Sequence, residues 1–245
     1  MMNTLLEKED EVITVVPGYQ QFVDILRSIG CKVHEIELYE SDWQVDIESF
    51  EQYINSNTKM IILNNPSNPT GTEYSKQFLM RLIDLCRVND IYILCDEVYR
   101  GLNDELSISD IYEKGISTSS LSKVFSLAGL RLGWVKANED VIHQINIRRD
   151  YSMISTGPLV DKLGLIALKH GDVLIDRAKS IILKNKKIVT EWLKCNPNFE
   201  CILPKGGTVC FLKYGFELKS ESFAKLLLVE KGIFFVPGSC FDKEY

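Results

Sequence analysis

The sequence lacks long hydrophobic runs, an excess of positive charge and clustered histidines. No apolar stretch approaches the ~18 residues that a membrane-spanning helix needs, so no membrane partner is predicted. Lys and Arg number 28 against 34 Asp and Glu, a net charge of −6. This balance argues against a nucleic-acid partner, because such proteins usually carry a basic face. The three histidines are far apart in the sequence, and we predict no metal site.

Two catalytic signatures and a secretion signal are also missing. No Gly-x-Gly-x-x-Gly follows a predicted strand, which disfavours a dinucleotide-dependent dehydrogenase. Gly238-Ser239 lacks the pattern that surrounds a hydrolase nucleophile. Residues 1–10 lack the basic-then-apolar order of a signal peptide, and the seven cysteines show no C-x-x-C spacing. We therefore expect a cytoplasmic protein with reduced cysteines, of which four lie in apolar runs and are predicted to be core residues (Cys31, Cys86, Cys95 and Cys210).

What is present is an alternation of short apolar runs with longer amphipathic ones. The runs predict strands at residues 11–16, 32–38, 59–63, 91–95, 115–122 and 130–137. Helical spacing is found at residues 18–29, 47–54, 75–89, 139–153, 160–170 and 172–195. Strands that are apolar throughout are typical of a sheet that is buried on both faces. We predict an α/β fold with a mostly parallel sheet and helices on both faces.

The pattern changes after Pro197. Residues 199–203 and 208–214 are predicted strands, residues 222–232 a helix, and residues 233–236 (IFFV) a last strand. We predict a large domain over residues 1–195 and a small α+β domain over residues 196–245.

Polar clusters follow two of the apolar strands, where open α/β sheets bind ligands. Residues 64–71 (NNPSNPTG) contain two X-Pro bonds that would make a stiff turn around Asn68. Asp96 and Tyr99 follow the strand at residues 91–95. A carboxylate at the end of a buried strand needs a partner, and a cationic ring nitrogen would be suitable. Taken alone, the first cluster could be an ordinary loop, and Asp96 could cap a turn.

Three further side chains could serve a ligand. Lys123 follows a run of small hydroxyl residues that includes Ser120, and a lysine removed from water is a usable nucleophile or base. The hydroxyls suit a phosphate. Arg131 is embedded in apolar sequence, so we expect its charge to be paired, and arginine geometry favours phosphate. Tyr19 follows the first strand. Separately, Lys123 could be a surface lysine and Tyr19 a packing residue.

The combination and order of these motifs resemble the aminotransferase class I/II family, enzymes of fold type I that use pyridoxal 5′-phosphate (PLP). The most specific stretch is residues 120–133 (SLSKVFSLAGLRLG). The resemblance implies that Lys123 forms a Schiff base with PLP and then moves the substrate's α-proton. It also implies that Asp96 pairs with the pyridine nitrogen and that Tyr99 hydrogen-bonds the ring oxygen. The predicted catalytic residues are Lys123, Asp96 and Tyr99.

The resemblance assigns four more residues to the cofactor. Asn68 matches a second hydrogen-bond donor to the ring oxygen, and the Asn68–Pro69 bond resembles one that is often cis in the family. Ser120 and Arg131 match phosphate ligands. Tyr19 lies where the family places an aromatic ring stacked on the pyridine.

The resemblance also implies that two parts of the family pattern are missing. A glycine-rich phosphate loop would precede the first strand, and an arginine for the substrate carboxylate would follow residues 236–239. The sequence thus resembles a member trimmed at both ends, with a partial C-terminal domain. We expect an aminotransferase acting on an amino acid and a 2-oxo acid, as a homodimer, with impaired activity in this chain. The alternatives are a PLP-dependent lyase or synthase, such as a C–S lyase, and a PLP-binding fragment without turnover.

Overall fold

Six of the predicted strands form one sheet in a computed structural model that describes residues 1–102 and 106–241. The strand order is β2-β1-β3-β4-β5-β6, parallel except for β6, which pairs antiparallel with β5. The bounds are β1 Glu11–Val16, β2 Lys32–Glu37, β3 Thr58–Asn64, β4 Tyr92–Asp96, β5 Gly115–Ser120 and β6 Gly133–Lys136. The prediction of a mostly parallel α/β sheet is confirmed.

Helices cover both faces of this sheet because side chains alternate along each strand. In β3, Ile61 and Leu63 pack in one hydrophobic cluster, whereas Met60 and Ile62 pack in another on the opposite face. The first cluster includes side chains of α3 Glu48–Glu51, α4 Lys76–Val88 and α5 Ile108–Ile111. The second includes side chains of α1 Met2–Leu5, α2 Gln21–Ile29 and α6 Glu139–Ser152.

Local sequence signals explain where two of these helices begin or end. Ser75 precedes α4, and its hydroxyl oxygen accepts a hydrogen bond from the Phe78 N–H at 3.1 Å, as an N-cap does. Gly30 ends α2 in a left-handed conformation with φ of 94°, which glycine adopts without a steric penalty.

The C-terminal part is smaller and less buried. It contains α7 Pro158–Lys169, α8 Gly171–Cys195, the antiparallel pair β7 Phe199–Cys201 and β8 Leu212–Tyr214, and α9 Ser220–Lys231. The predicted strand at residues 233–236 is wrong. These residues follow α9 without strand pairing, and Phe234 is 72% exposed, since no neighbouring strand among the described residues hydrogen-bonds to them.

The structure also bears on the predictions about the cysteines and about the C-terminal domain. Cys31, Cys86 and Cys95 are buried and free, as predicted, but Cys210 is only half-buried because it lies in the β7–β8 connection rather than in a packed strand. The last four residues of the predicted 196–245 domain lie outside the described part of the chain, and the boundary near residue 195 stays a prediction. Within residues 1–102 and 106–241, no helix is long and apolar enough to cross a bilayer.

Candidate active site

The carboxyl ends of β3, β4 and β5 bring three polar side chains into one row. Asn64 is the cross-strand partner of Asp96, and Asp96 is the partner of Thr118. Parallel strands end at the same edge of a sheet, so the loops that follow all three strands share this edge. The predicted clusters after β3, β4 and β5 therefore meet in space.

Asn64 ties the loop after β3 to the end of β4. Its Nδ2 donates to the Asp96 carbonyl oxygen at 2.7 Å, and its Oδ1 accepts from the Asn68 N–H at 2.7 Å. The Asn65 N–H donates to the same Asp96 carbonyl at 3.0 Å. Asn68, which is half-buried, is thus held in register with Asp96. The Asn68–Pro69 bond is cis, and that expectation is confirmed.

Asp96 carries a carboxylate that is partly buried and only weakly partnered. Its Oδ1 accepts from the Val98 N–H at 3.2 Å and from the Thr118 hydroxyl at 3.3 Å. Burial raises the pKa of Asp96 above its ordinary value, and these hydrogen bonds and the charge of Lys123 oppose that rise only in part. Among the described residues, Asp96 forms no ion pair, so its carboxylate can take a cationic partner.

Lys123, Tyr99 and Tyr19 lie around Asp96. The Lys123 Nζ is 5.7 Å from the centroid of the Tyr99 ring, a cation–π distance. Tyr99 is 2% exposed, and burial raises its pKa to about 12, with smaller contributions from Asp96 and Tyr19. Lys123 and Asp96 are therefore on the same side of the sheet. The expectation of a lysine removed from water is wrong, because Lys123 lies in an exposed turn three residues beyond β5.

Ser120 and Arg131 flank the connection between β5 and β6. The Ser120 Oγ accepts from the Ser122 N–H at 3.2 Å. Arg131 has φ of 51°, and its Nη1 donates to the Ala128 carbonyl oxygen at 3.0 Å. Arg131 is exposed and, in the described part of the chain, meets no carboxylate, so the expected pairing of its charge with a phosphate stays a prediction.

Sequence reasoning missed three residues that shape this site. Asn64 ends β3 and Thr118 is the fourth residue of β5, and sequence reasoning gave neither residue a role of its own. Glu97 is 1% exposed, and its Oε1 accepts from the Ile108 N–H at 2.7 Å and the Ser117 hydroxyl at 2.8 Å. Its other oxygen pairs with Arg100 Nε at 2.9 Å. Glu97 thereby fixes the turn that places Asp96 and Tyr99, and nothing in the sequence distinguished it from an exposed acid.

The loop between β7 and β8 covers part of the same site. Gly71 has φ of 69°, and a Cβ built on it would meet the Pro204 side chain at 2.3 Å and the Val209 carbonyl oxygen at 2.7 Å. A Cβ on Gly207 would lie 3.9 Å from the Tyr99 side chain. The close approach of these backbones places the small C-terminal part over residues 64–71.

Comparison with known proteins identifies the family. The sequence model of "aminotransferase class I and II" matches residues 1–244. The chain belongs to the aminotransferase class I and II family. This is a family of PLP-dependent enzymes.

Individual proteins of known name resemble the chain in sequence or in structure. An aspartate aminotransferase of Pyrococcus horikoshii is 29% identical over 98% of this chain and 64% of its own length. A capreomycidine synthase of Streptomyces vinaceus is 26% identical over 96% of this chain and 62% of its own length. A PLP-dependent aminotransferase of Streptococcus suis has a TM-score of 0.96 and 36% identity over 99% of this chain and 66% of that one. The chain thus spans less than two thirds of the length of the curated relatives that it matches.

Proposed function

We propose that this chain carries the PLP site of an aminotransferase that moves an amino group between an amino acid and a 2-oxo acid. The observation that carries the proposal is the presence of a partly buried, weakly partnered Asp96 and of the Lys123 amine, 5.7 Å from the Tyr99 ring centroid, at the same end of the sheet. Membership of the family supports the reaction class.

The chemistry of the available side chains fits PLP. A protonated pyridine nitrogen would give Asp96 the cation that its environment lacks, in a charge-assisted hydrogen bond of about 1.5–3 kcal/mol. Tyr99 and Asn68 would hydrogen-bond the ring oxygen. Tyr19, 37% exposed beside Phe22, would stack on the ring.

The connection between β5 and β6 would hold the phosphate. Ser120 offers a hydroxyl, and Arg131 offers the guanidinium nitrogens that Ala128 does not use. A guanidinium binds a phosphate through two parallel N–H bonds, which fixes both distance and orientation.

When bound, PLP supplies an electron sink for the negative charge that develops at the substrate's Cα. Asp96 would keep the proton on the pyridine nitrogen and so preserve that sink. Lys123 would anchor the cofactor through Nζ and, once released by the substrate amine, would accept the Cα proton at the same nitrogen. The Lys123 amine lies over the side chain of Tyr99, which is proposed to hydrogen-bond the oxygen on the PLP ring.

A PLP-dependent lyase or synthase is the second candidate. The similarity to a protein named capreomycidine synthase favours it, since that relative is not an aminotransferase by name. The same residues would serve a transamination and a lyase or synthase reaction, because both reactions begin at a bond to the substrate's Cα. The third candidate is PLP binding without turnover.

We further propose a cytoplasmic homodimer. Helices α7 and α8 leave large apolar side chains exposed, among them Leu159, Ile166 and Val173, and such side chains are often covered by another subunit. Analytical ultracentrifugation tests this point, and a monomer at all concentrations would contradict it.

The test of the proposed function is a titration with PLP. The protein is expected to develop a yellow absorption band, and borohydride reduction should leave the cofactor bound to the peptide that contains Lys123. Lys123→Ala should show neither. Lys114→Ala is the matched control, since Lys114 precedes β5 at its opposite end and pairs with Asp90; it should behave as wild type.

Product analysis then separates the candidates. Pyridoxamine phosphate formed on addition of an amino acid indicates transamination. Ammonia and a 2-oxo acid such as pyruvate indicate a lyase. A yellow protein that forms neither leaves the third candidate, and an equal absorption band in Lys123→Ala contradicts the assignment of the lysine.

A further inference from the structure

Two cysteines meet at the base of the loop that covers the candidate site. Cys201 is the last residue of β7, and Cys210 lies two residues before β8. The strands are antiparallel, with Cys201 opposite Leu212, so the chain returns Cys210 to the neighbourhood of Cys201. With Cys201 opposite Leu212, Cys210 falls diagonally across from Cys201 on the same face of the strand pair, close enough for the two thiols to interact, and the Cys201 thiol donates to the Ile202 carbonyl oxygen at 3.4 Å.

The environment of the pair suits thiol exchange. The interaction between the two thiols lowers the pKa of Cys210 below the ordinary value of a cysteine and raises the pKa of Cys201. Both side chains are half-buried. Cys210 borders two cavities, of about 450 and 130 Å³, through which a small reagent can reach its sulfur. A partly accessible thiol that ionises easily is the reactive kind.

The other cysteines differ from this pair. Cys31, Cys86 and Cys95 are buried, and burial raises the pKa of each thiol. Cys195 and Cys240 are exposed. Over residues 1–102 and 106–241, Cys201 and Cys210 are the one pair of cysteines whose thiols interact with each other.

We propose that Cys201 and Cys210 form a redox pair that closes to an intramolecular disulfide by exchange with a small-molecule disulfide such as oxidised glutathione. The Cys210 thiolate attacks one glutathione sulfur, which forms a mixed disulfide and releases one glutathione thiolate. Cys201 then attacks the Cys210 sulfur and releases the second. Two protein thiols are oxidised, one glutathione disulfide is reduced to two thiols, and the two protein protons pass to them.

A disulfide between Cys201 and Cys210 would link the two ends of the loop formed by residues 202–209. The Pro204 carbonyl oxygen in this loop already accepts a hydrogen bond from Lys186 Nζ at 2.7 Å. The same loop approaches Gly71 and Tyr99. Oxidation of the pair would therefore fix the segment that packs over the candidate site, whatever ligand that site takes.

The test is peptide mapping of the protein after exposure to oxidised glutathione. Cleavage after lysine gives peptides 195–205 and 206–213, and the first contains Cys195 as well as Cys201. The experiment therefore uses Cys195→Ser protein. The two peptides are expected to be joined, two hydrogen masses below their sum, and to separate on reduction.

Two variants make the result decisive. In Cys195→Ser/Cys201→Ser protein, glutathione should stay on Cys210, because the second thiol is missing. Cys195→Ser/Cys240→Ser protein is the control and should give the joined peptides unchanged. The proposal is overturned if glutathione stays on Cys210 when Cys201 is present, or if Cys210 reacts no faster than exposed Cys240.

Discussion

Each end of the main sheet holds a carboxylate, and the surroundings shift the pKa values of these two carboxylates in opposite directions. At the amino end, Glu11 of β1 receives hydrogen bonds from Asn55 Nδ2 at 2.9 Å and Lys32 Nζ at 3.1 Å, and contacts His34 Nε2 at 2.5 Å. The hydrogen bonds with His34 and Asn55, aided by Lys32, lower the pKa of Glu11 to about 2. At the carboxyl end, burial raises the pKa of Asp96.

The difference separates an acid that supports the fold from one that is available to a ligand. Glu11 has its partners within the chain, so its charge is favourable in the folded state. Asp96 has two long hydrogen bonds and, among the described residues, no ion pair, so its charge is unfavourable until a partner arrives. An incompletely satisfied carboxylate at a strand end is thus the clearest physical mark of the site.

The largest effect is expected from a substitution of Asp96, the acid that is available to a ligand. Asp96→Asn should weaken PLP binding by about 10- to 100-fold, as loss of a charge-assisted hydrogen bond predicts. Any turnover should fall by at least about 100-fold. Without PLP, the variant should unfold at an equal or higher urea concentration, because the unfavourable buried charge is removed. Equal PLP affinity in a titration would contradict the role of Asp96.

The next largest effect is expected from the corresponding acid-to-amide substitution of Glu11, at the opposite end of the sheet. Glu11→Gln should lower the free energy of unfolding by about 1–3 kcal/mol at pH 7, since three polar contacts lose a charged acceptor. Urea denaturation measures this. Glu51→Gln, on the exposed end of α3, is the control and should change stability by less than about 0.5 kcal/mol.

The pH dependence of the Glu11 effect has a defined sign. The folded-state pKa lies below the ordinary value of 4.5, so the stabilisation is fully present above about pH 4.5 and is lost as the pH falls towards 2. The stability difference between wild type and Glu11→Gln should shrink over this window. A difference that stayed constant from pH 7 to pH 3 would show that the charge of Glu11 contributes nothing.

The smallest expected effect is at a side chain that touches Asp96. Thr118→Val removes a 3.3 Å hydrogen bond to the carboxylate, worth about 1 kcal/mol, and should weaken PLP binding by about fivefold. Thr118→Ser keeps the hydroxyl and should bind PLP as wild type does. If both variants bind equally, the hydroxyl has no part in holding Asp96.

Most of the fold follows from hydrophobic patterning. β1 begins and ends at the predicted residues, and α4 starts after the predicted cap, Ser75, because apolar strands and capped helices are local signals. The segment at residues 233–236 has an equally apolar sequence, but no strand among the described residues lies beside it. A strand forms only where a second segment pairs with it, and the composition of one segment does not show whether such a partner is present.

The site was predictable as a group of motifs but not as an electrostatic arrangement. Asn68, Asp96, Tyr99 and Lys123 stood out because each follows a strand end. The exposure of Lys123 and of the Arg131 guanidinium depends on how the connection between β5 and β6 folds, which residue types alone do not determine. The contact between Glu11 and Asn55 could not be predicted because the two residues are 44 positions apart in the sequence.

A crystal structure of the protein with PLP tests the central claim most directly. We expect electron density that is continuous from Lys123 Nζ to the cofactor, with the pyridine nitrogen within hydrogen-bond distance of Asp96. A cofactor bound elsewhere, or one whose ring nitrogen faces away from Asp96, would contradict the account.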